Sequence, residues 1–289
     1  MNNLLKRAIT GIVYVLSVIV ALFIHPMITA IYFFVVAMIG LWEFYNIVSQ
    51  KDGIKPNTII GILLAIVIYM TFVYITGFDC ELNVLRYVGI FCFLAIIPTL
   101  IVLFVVELYR NRATAFVNIA YTLLGVIYVV IPLALTNLII HTDGQTLSFN
   151  LVYTPMVLMS VFIFAWSNDT FAYLTGIKFG KHKLFERISP KKTWEGWIGG
   201  FVFTIIAAVI VSYFTDSLST FDFIVIAVIT SVIGTIGDLI ESMLKRQVGV
   251  KDSGNILPGH GGILDRFDIL LLVLPAVTEY FFIKMLFIN

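Results

Sequence analysis

Charge is what this sequence has least of. Only 12% of its 289 residues are Asp, Glu, Lys or Arg, whereas a water-soluble domain carries about a quarter. Cysteine is nearly missing too. Cys80 and Cys92 are too few for a disulfide framework or a cysteine zinc site, and both read as small apolar residues. The net charge of +1 says nothing for a nucleic-acid partner, since basic and acidic residues nearly cancel, and none is expected. No internal repeat, low-complexity tract or flexible linker is evident, and the short connections leave little room for a soluble domain.

Apolar residues fill the space that charge vacates, at 60% of the chain and a mean hydropathy of +1.03. The expected class is an all-α, polytopic integral membrane protein embedded in a lipid bilayer. Apolar runs near 8–24, 27–48, 58–76, 86–106, 114–140, 151–175, 195–214, 221–244 and 263–286 give about nine spans. The leader "MNNLLKR" and the run after it resemble a signal peptide. That run is long for a signal core and lacks small-residue cleavage spacing, so it reads as a retained first helix. About five helices fall in residues 1–145, and about four in a catalytic region at 146–289.

Lys and Arg favour the cytoplasmic side in short loops. With a cytoplasmic amino terminus, the inner segments collect Lys6, Arg7, Lys51, Lys55, Arg110, Arg112, the basic residues of 178–192, and Lys245, Arg246, Lys251 and Arg266. Only Arg86 and Lys284 then lie outside, beside Asp79, Glu81, Asp143, Asp216 and Asp222. At 1.5 Å per residue, Asp169 falls about 27 Å from an outer start at Leu151, and Asp238 about 22 Å from Phe223. Asp265 and Asp268 open the last helix from the inside. Carboxylates from three helices therefore approach the cytoplasmic boundary among many cations.

Each motif has a bland counterpart. In "GDLIESMLKR", Asp238, Glu241 and Lys245 share a helical face; the alternative to function is a structural ion pair. Ser242 carries no weight by itself, since such hydroxyls commonly bond their own backbone. In "WSNDTFAYLTG", Asp169, Tyr173 and Gly176 share a face, and Ala172, Gly176 and Gly180 form a small-residue ladder suited to close helix packing. The triplet Asn168-Asp169-Thr170 matches a glycosylation acceptor only by accident. "ISPKKTWEG" reads as a helix start, with Ser189 as N-cap and Pro190 at the first helical position. There Lys191 and Lys192 become phosphate ligands rather than mere positive-inside residues.

"LPGHGGILDRFD" is the sharpest stretch. Gly261 and Gly262 before a helix let backbone N–H groups approach an anion. Asp265 and Asp268 also suit the helix dipole, which is their ordinary explanation. Arg266 offers a planar fork for phosphate. His260 fits a phosphate donor and an ordinary loop histidine equally well. Magnesium is bound through one or two carboxylates plus substrate phosphates, and Asp238 with Asp265 would supply that pair. Together these residues point to phosphoryl or nucleotidyl transfer at the membrane surface.

The stretch "SMLKRQVGVKDSGNILPGHGGILDRFD" resembles the signature of the phosphatidate cytidylyltransferases, the CDP-diacylglycerol synthases. Every defined position of that signature is met: Ser242, Lys245, Arg246, Lys251, Asp252, Gly254, Pro258, His260, Gly261, Gly262, Asp265, Arg266 and Asp268. "WSNDTFAYLTG", "SPKKTWEG" and "GDLIES" are similar to the same family, so the likeness spans about residues 165 to 270. It implies that CTP and phosphatidic acid give CDP-diacylglycerol and pyrophosphate in phospholipid synthesis. It further implies magnesium, a second monovalent cation such as potassium (K+), and a homodimer; the general character of the chain and its Lys and Arg topology place it in the cell inner (plasma) membrane with its active site facing the cytoplasm. Asp238 and Asp265 match the family's metal-binding aspartates. The expected catalytic group is Asp238, Asp265, Lys245, Arg246, Lys251, Arg266 and Asp169. Lys191, Lys192, Ser242, Asp252, His260, Gly261, Gly262 and Asp268 are expected to bind substrate.

Three other functions are weighed. A secondary transporter would also carry intramembrane carboxylates, but near the midplane between repeats. A CDP-alcohol phosphotransferase would continue the aspartate-glycine starts of "DGIKPNT" and "DGQTLSF" into its own pattern, and neither does so. A membrane scaffold explains the hydrophobicity but not the clustered charges.

Overall fold

The computed structural model describes residues 3–76, 83–141, 153–256 and 261–288. The chain is an all-α polytopic membrane protein. Among the described residues, eight helices are long and apolar enough to cross a membrane, and Ile9–Ile24 is a shorter apolar one. These nine coincide with the nine apolar runs of the sequence. Two compact units divide the chain: 1–138 with 247–267, and 139–246 with 268–289.

In the first unit, α1 (Asn3–Ile24) and α2 (Pro26–Val48) are joined by His25 alone. His25 takes an extended backbone, and its Nδ1 accepts the Met27 N–H at 3.1 Å, while Pro26 opens α2 where no N–H partner is needed. The Thr29 hydroxyl donates to the Ala21 carbonyl at 2.7 Å, tying the two helices. Asn57 caps α3 (Thr58–Ile75), and α4 (Asn83–Arg110) runs through Pro98. The run expected at 114–140 is one continuous span built in three pieces: α5 (Ala115–Gly125), a π-helical turn (Val126–Val130) and α6 (Ile131–Ile139). Gly125 lies at the turn because Tyr45 passes there; an added Cβ would stand 2.6 Å from its ring. The Tyr45 hydroxyl donates to the Thr122 carbonyl at 2.7 Å, so α2 and α5 meet through a satisfied polar contact in an apolar interior.

In the second unit, α7 (Pro155–Phe179) leads into a hairpin of β1 (Lys183–Phe185) and β2 (Ser189–Thr193). Then α8 (Trp194–Ser212), α9 (Thr220–Gln247) and the body of α10 (Leu264–Ile288) follow. The hairpin corrects the sequence expectation for "ISPKKTWEG". Ser189 and Pro190 lie in a strand, and Thr193 is the cap of α8, its hydroxyl accepting the Gly196 N–H at 3.2 Å. The physical reason is local. Pro190 has no N–H to donate and sits in a two-stranded ladder that makes no demand for one, while the Trp194 N–H closes onto the His182 carbonyl at 2.9 Å. The helix starts also shift the depth estimates. With α7 beginning at Pro155 and α9 at Thr220, Asp169 lies about 21 Å and Asp238 about 27 Å along their helices.

The small-residue ladder does pack helices. A Cβ on Gly196 would lie 2.7 Å from the Ala172 carbonyl oxygen, and one on Gly200 would lie 2.7 Å from that of Asn168. So α7 and α8 approach backbone to backbone, as small residues allow inside a membrane. Asn168 is buried, and its side-chain oxygen accepts the Ser231 hydroxyl at 2.7 Å, which joins α7 to α9. At the far end of α9, Asp222 accepts Lys284 at 2.9 Å and the Tyr280 hydroxyl at 2.5 Å. Both charges had been assigned to the same outer side.

Candidate active site

The second unit holds a cavity of about 530 Å³ between α7, the hairpin, α8 and α9. Three elements bring charge to it. Asp169 comes from α7 and Asp238 from α9, while Lys183, Lys191 and Lys192 come from the hairpin. Asp169, Tyr173 and Gly176 all line it, as their shared helical face required. Lys192 forms an ion pair with Asp238, and the Ser242 hydroxyl donates to the other Asp238 oxygen at 3.2 Å. Ser242 thus turns its hydroxyl to a side chain one helical turn back, rather than to its own backbone. Beneath them Lys245 pairs with the fully buried Glu241 one turn earlier.

Asp268 sits half-buried on α10 and feels the negative charges of Asp238, Glu241 and Asp169, while one of its oxygens accepts the Ile269 N–H at 2.8 Å. Like charges gathered in a poorly screened setting repel by several kcal/mol unless cations attend them. Lys192 and Lys245 supply part of that attendance. The cavity thereby mixes anionic and cationic groups in one small volume.

The hairpin is held in place by Glu195, in the first turn of α8. Its carboxylate accepts the backbone N–H groups of Lys181 at 3.0 Å and His182 at 3.2 Å, and it meets the His182 ring at 2.6 Å. The strand bearing Lys191 and Lys192 is thus anchored at its root. A second, apolar cavity of about 450 Å³ adjoins the first, sharing Leu184, Trp197 and Thr235 with it; Trp194, Ile236 and Leu239 also line it.

The first unit carries the other half of the signature. Asp265 opens α10, and its Oδ2 accepts three donors: the Ser253 N–H at 2.8 Å, the Gly262 N–H at 2.8 Å and the Ser253 hydroxyl at 2.9 Å. Gly261 has φ +84°, a left-handed conformation natural to glycine. The amides that follow do meet anions, and these belong to the chain itself. Ile263 and Leu264 donate to Glu43 of α2 at 3.1 and 2.8 Å. Glu43 escaped the sequence reading because "LWEFYN" looks like a helix with one stray acid. Its surroundings, 1% exposed and more than two hundred residues away in the chain, are visible only when folded.

The remaining signature residues distribute simply. Arg246, Lys251 and Asp252 are exposed, Arg266 is half-buried, and the Arg266 carbonyl accepts the Tyr14 hydroxyl at 3.3 Å. His260 and Pro258 lie outside the described residues. Asp238 belongs to the second unit and Asp265 to the first. Among the described residues no group of three or more His, Cys, Asp or Glu side chains could hold a metal ion. Magnesium asks for less from protein, because one or two hard carboxylate oxygens suffice when substrate phosphates and water complete the shell. Asp238 and Asp265 each offer such an oxygen, and each is oriented by hydrogen bonds within its own unit.

Known proteins resemble this chain along most of its length. A phosphatidate cytidylyltransferase of Haemophilus influenzae is 31% identical, with 96% of this chain and 98% of that protein covered. One of Staphylococcus saprophyticus is 34% identical over 94% of this chain and 96% of its own. One of Staphylococcus haemolyticus reaches 48% identity over a shorter stretch, 42% of this chain and 47% of its own. Residues 5–285 match the cytidylyltransferase family, and the chain belongs to that family.

Proposed function

We propose that this protein transfers the cytidylyl group of CTP to phosphatidic acid, releasing pyrophosphate and leaving CDP-diacylglycerol in the bilayer. The observation that carries the reading is the family match over 5–285, joined to a cavity where Asp169 and Asp238 face Lys183, Lys191 and Lys192. Neither the family nor the relatives support a transporter.

In this reaction a phosphate oxygen of the lipid forms a bond to the α-phosphorus of CTP. The bond from that phosphorus to the bridging oxygen of the β-phosphate breaks, and pyrophosphate departs. The lipid phosphate is already ionised at neutral pH, so no general base is needed. The protein's task is positioning and charge neutralisation. Lys191, Lys192 and Lys183, with Arg246, Lys251 and Arg266, hold the phosphates of the two substrates. Lys192 exchanges its partner Asp238 for substrate phosphate, and Asp169 keeps the lysines oriented or attends a second cation such as potassium. Lys245 keeps Glu241 neutralised, and Ser242 holds Asp238 in position. Asp252, His260, Asp268, Gly261 and Gly262 are the further residues assigned to substrate binding. Asp238 and Asp265 would hold Mg2+, which when bound neutralises charge on the nucleotide phosphates and on the departing pyrophosphate. The apolar cavity beside the lysines suits a lipid acyl chain next to its head group. Phosphatidic acid arrives laterally from the inner leaflet, and CTP from the cytosol. The protein works as a homodimer in the inner (plasma) membrane with its site facing the cytoplasm.

The test is pyrophosphate release by purified protein in detergent. Release is expected only when phosphatidate, CTP and magnesium are all present, with CDP-diacylglycerol formed in equal amount. Folded protein that releases none, or that releases it without lipid, overturns the assignment.

A further inference from the structure

We infer that Glu43 is a positioning residue for the transfer, setting the Asp265 carboxylate through the Ser253 hydroxyl and the first amides of α10. The inference rests on the assignment of Asp265 to magnesium made above.

A carboxylate buried in a membrane helix is costly unless hydrogen bonds satisfy it. Glu43 is 1% exposed, and both of its oxygens are engaged at the loop that carries Asp265. Oε1 accepts the Ile263 N–H at 3.1 Å, and Oε2 accepts the Leu264 N–H at 2.8 Å and the Ser253 hydroxyl at 3.2 Å. Ser253 is the joint between two acids. Its N–H and hydroxyl donate to Asp265 Oδ2, and its oxygen accepts the Asp265 N–H at 3.3 Å. The hydroxyl has one proton to share between Glu43 and Asp265, so its hydrogen bonding couples the two acids.

An ordinary helix cap would need none of this. Caps are supplied locally, by Ser, Thr, Asp or Asn just before the first turn. Here the cap comes from α2, and the loop is shaped to receive it. A Cβ on Gly254 would strike Glu43, and one on Gly262 would strike both the Ser253 hydroxyl and Glu43. These two signature glycines are therefore explained by the seat of Glu43. With Oδ2 of Asp265 fixed by three donors, the plane of the carboxylate is set before any cation arrives. Groups that orient a metal's ligands in this way change its affinity about 10- to 100-fold when removed.

The experiment compares Glu43→Gln, Ser253→Ala and Ser253→Thr with the parent, each confirmed folded by its thermal midpoint without metal. Two quantities are read: the magnesium concentration at half-maximal pyrophosphate release, and the rise in thermal midpoint that magnesium causes without substrates. Glu43→Gln and Ser253→Ala are expected to need about 10-fold more magnesium in both, with KM for CTP and phosphatidate nearly unchanged. Ser253→Thr, which keeps the hydroxyl, should restore most of the parent behaviour. Should Glu43→Gln fail to fold, the Ser253 pair decides alone. Parent-like magnesium dependence in the folded variants, while Asp265→Asn loses its response, overturns the role of Glu43. A parent enzyme active without any magnesium response overturns the metal assignment and this inference with it.

Discussion

Asp238 and Asp265, the two acids proposed to hold magnesium, are held by opposite means. In the second unit Asp238 is paired with a lysine from the hairpin and one serine hydroxyl, beside a cavity of about 530 Å³. In the first unit Asp265 is held by two backbone amides and a buried hydroxyl, with Glu43 behind them. A lysine on a flexible stem can trade one anion for another, whereas a backbone amide in a capped turn cannot. Under the proposed mechanism the hairpin side exchanges partners, and the α10 side stays still.

Exchanging the acids is the most severe test. Asp265→Asn and Asp238→Asn remove charge with little change in shape. Each is expected to lower pyrophosphate release by at least about 100-fold, the scale seen when a preorganised electrostatic group is lost. If Asp238→Asn retains near-parent release while Asp265→Asn does not, the two acids are not equivalent and the metal rests on the α10 side alone.

Lys192→Gln probes the adjustable side by itself. Removing a charge-assisted contact to phosphate costs about 1.5–3 kcal/mol, so kcat/KM should fall roughly 10- to 100-fold. The magnesium response of the thermal midpoint should not weaken, because Asp238 loses a competing cation and Asp265 keeps its own donors. A large loss of the magnesium response in this variant would erase the contrast between the two sides.

Gly196→Ala is expected to have the mildest effect on chemistry. Its Cβ would meet the Ala172 carbonyl oxygen at 2.7 Å, forcing α7 and α8 apart at a cost of about 1–3 kcal/mol. The thermal midpoint should drop, and activity per folded molecule should fall modestly as the cavity wall between α7 and the hairpin loosens. An unchanged midpoint would show that the ladder is not a packing device.

Much of this was legible beforehand, for identifiable reasons. Apolar runs long enough to span a bilayer mark helices by composition alone, so among the described residues eight span-length helices and the shorter Ile9–Ile24 lie where hydropathy put them. Asp169, Tyr173 and Gly176 could be assigned to one face because helical period is a property of the chain. What could not be read was anything set by partners distant in sequence. "ISPKKTWEG" has the letters of a helix start, yet Ser189 to Thr193 pair with Lys183 to Phe185 instead, and Thr193 takes the cap. Ser242 looked like a backbone-bonding serine until Asp238 stood one turn away with an oxygen turned toward it.

By itself, then, the order of residues determined the helices, their spacing and the signature that marks the chemistry, since these depend on local hydropathy, helical period and motif spacing. The tertiary structure alone decided that Glu43 reaches the loop of Asp265, and that Lys192 rather than Lys245 pairs with Asp238. Burial is the reason. A buried carboxylate must find donors wherever the fold brings them, and only the packed chain says which amides, hydroxyls and cations those are.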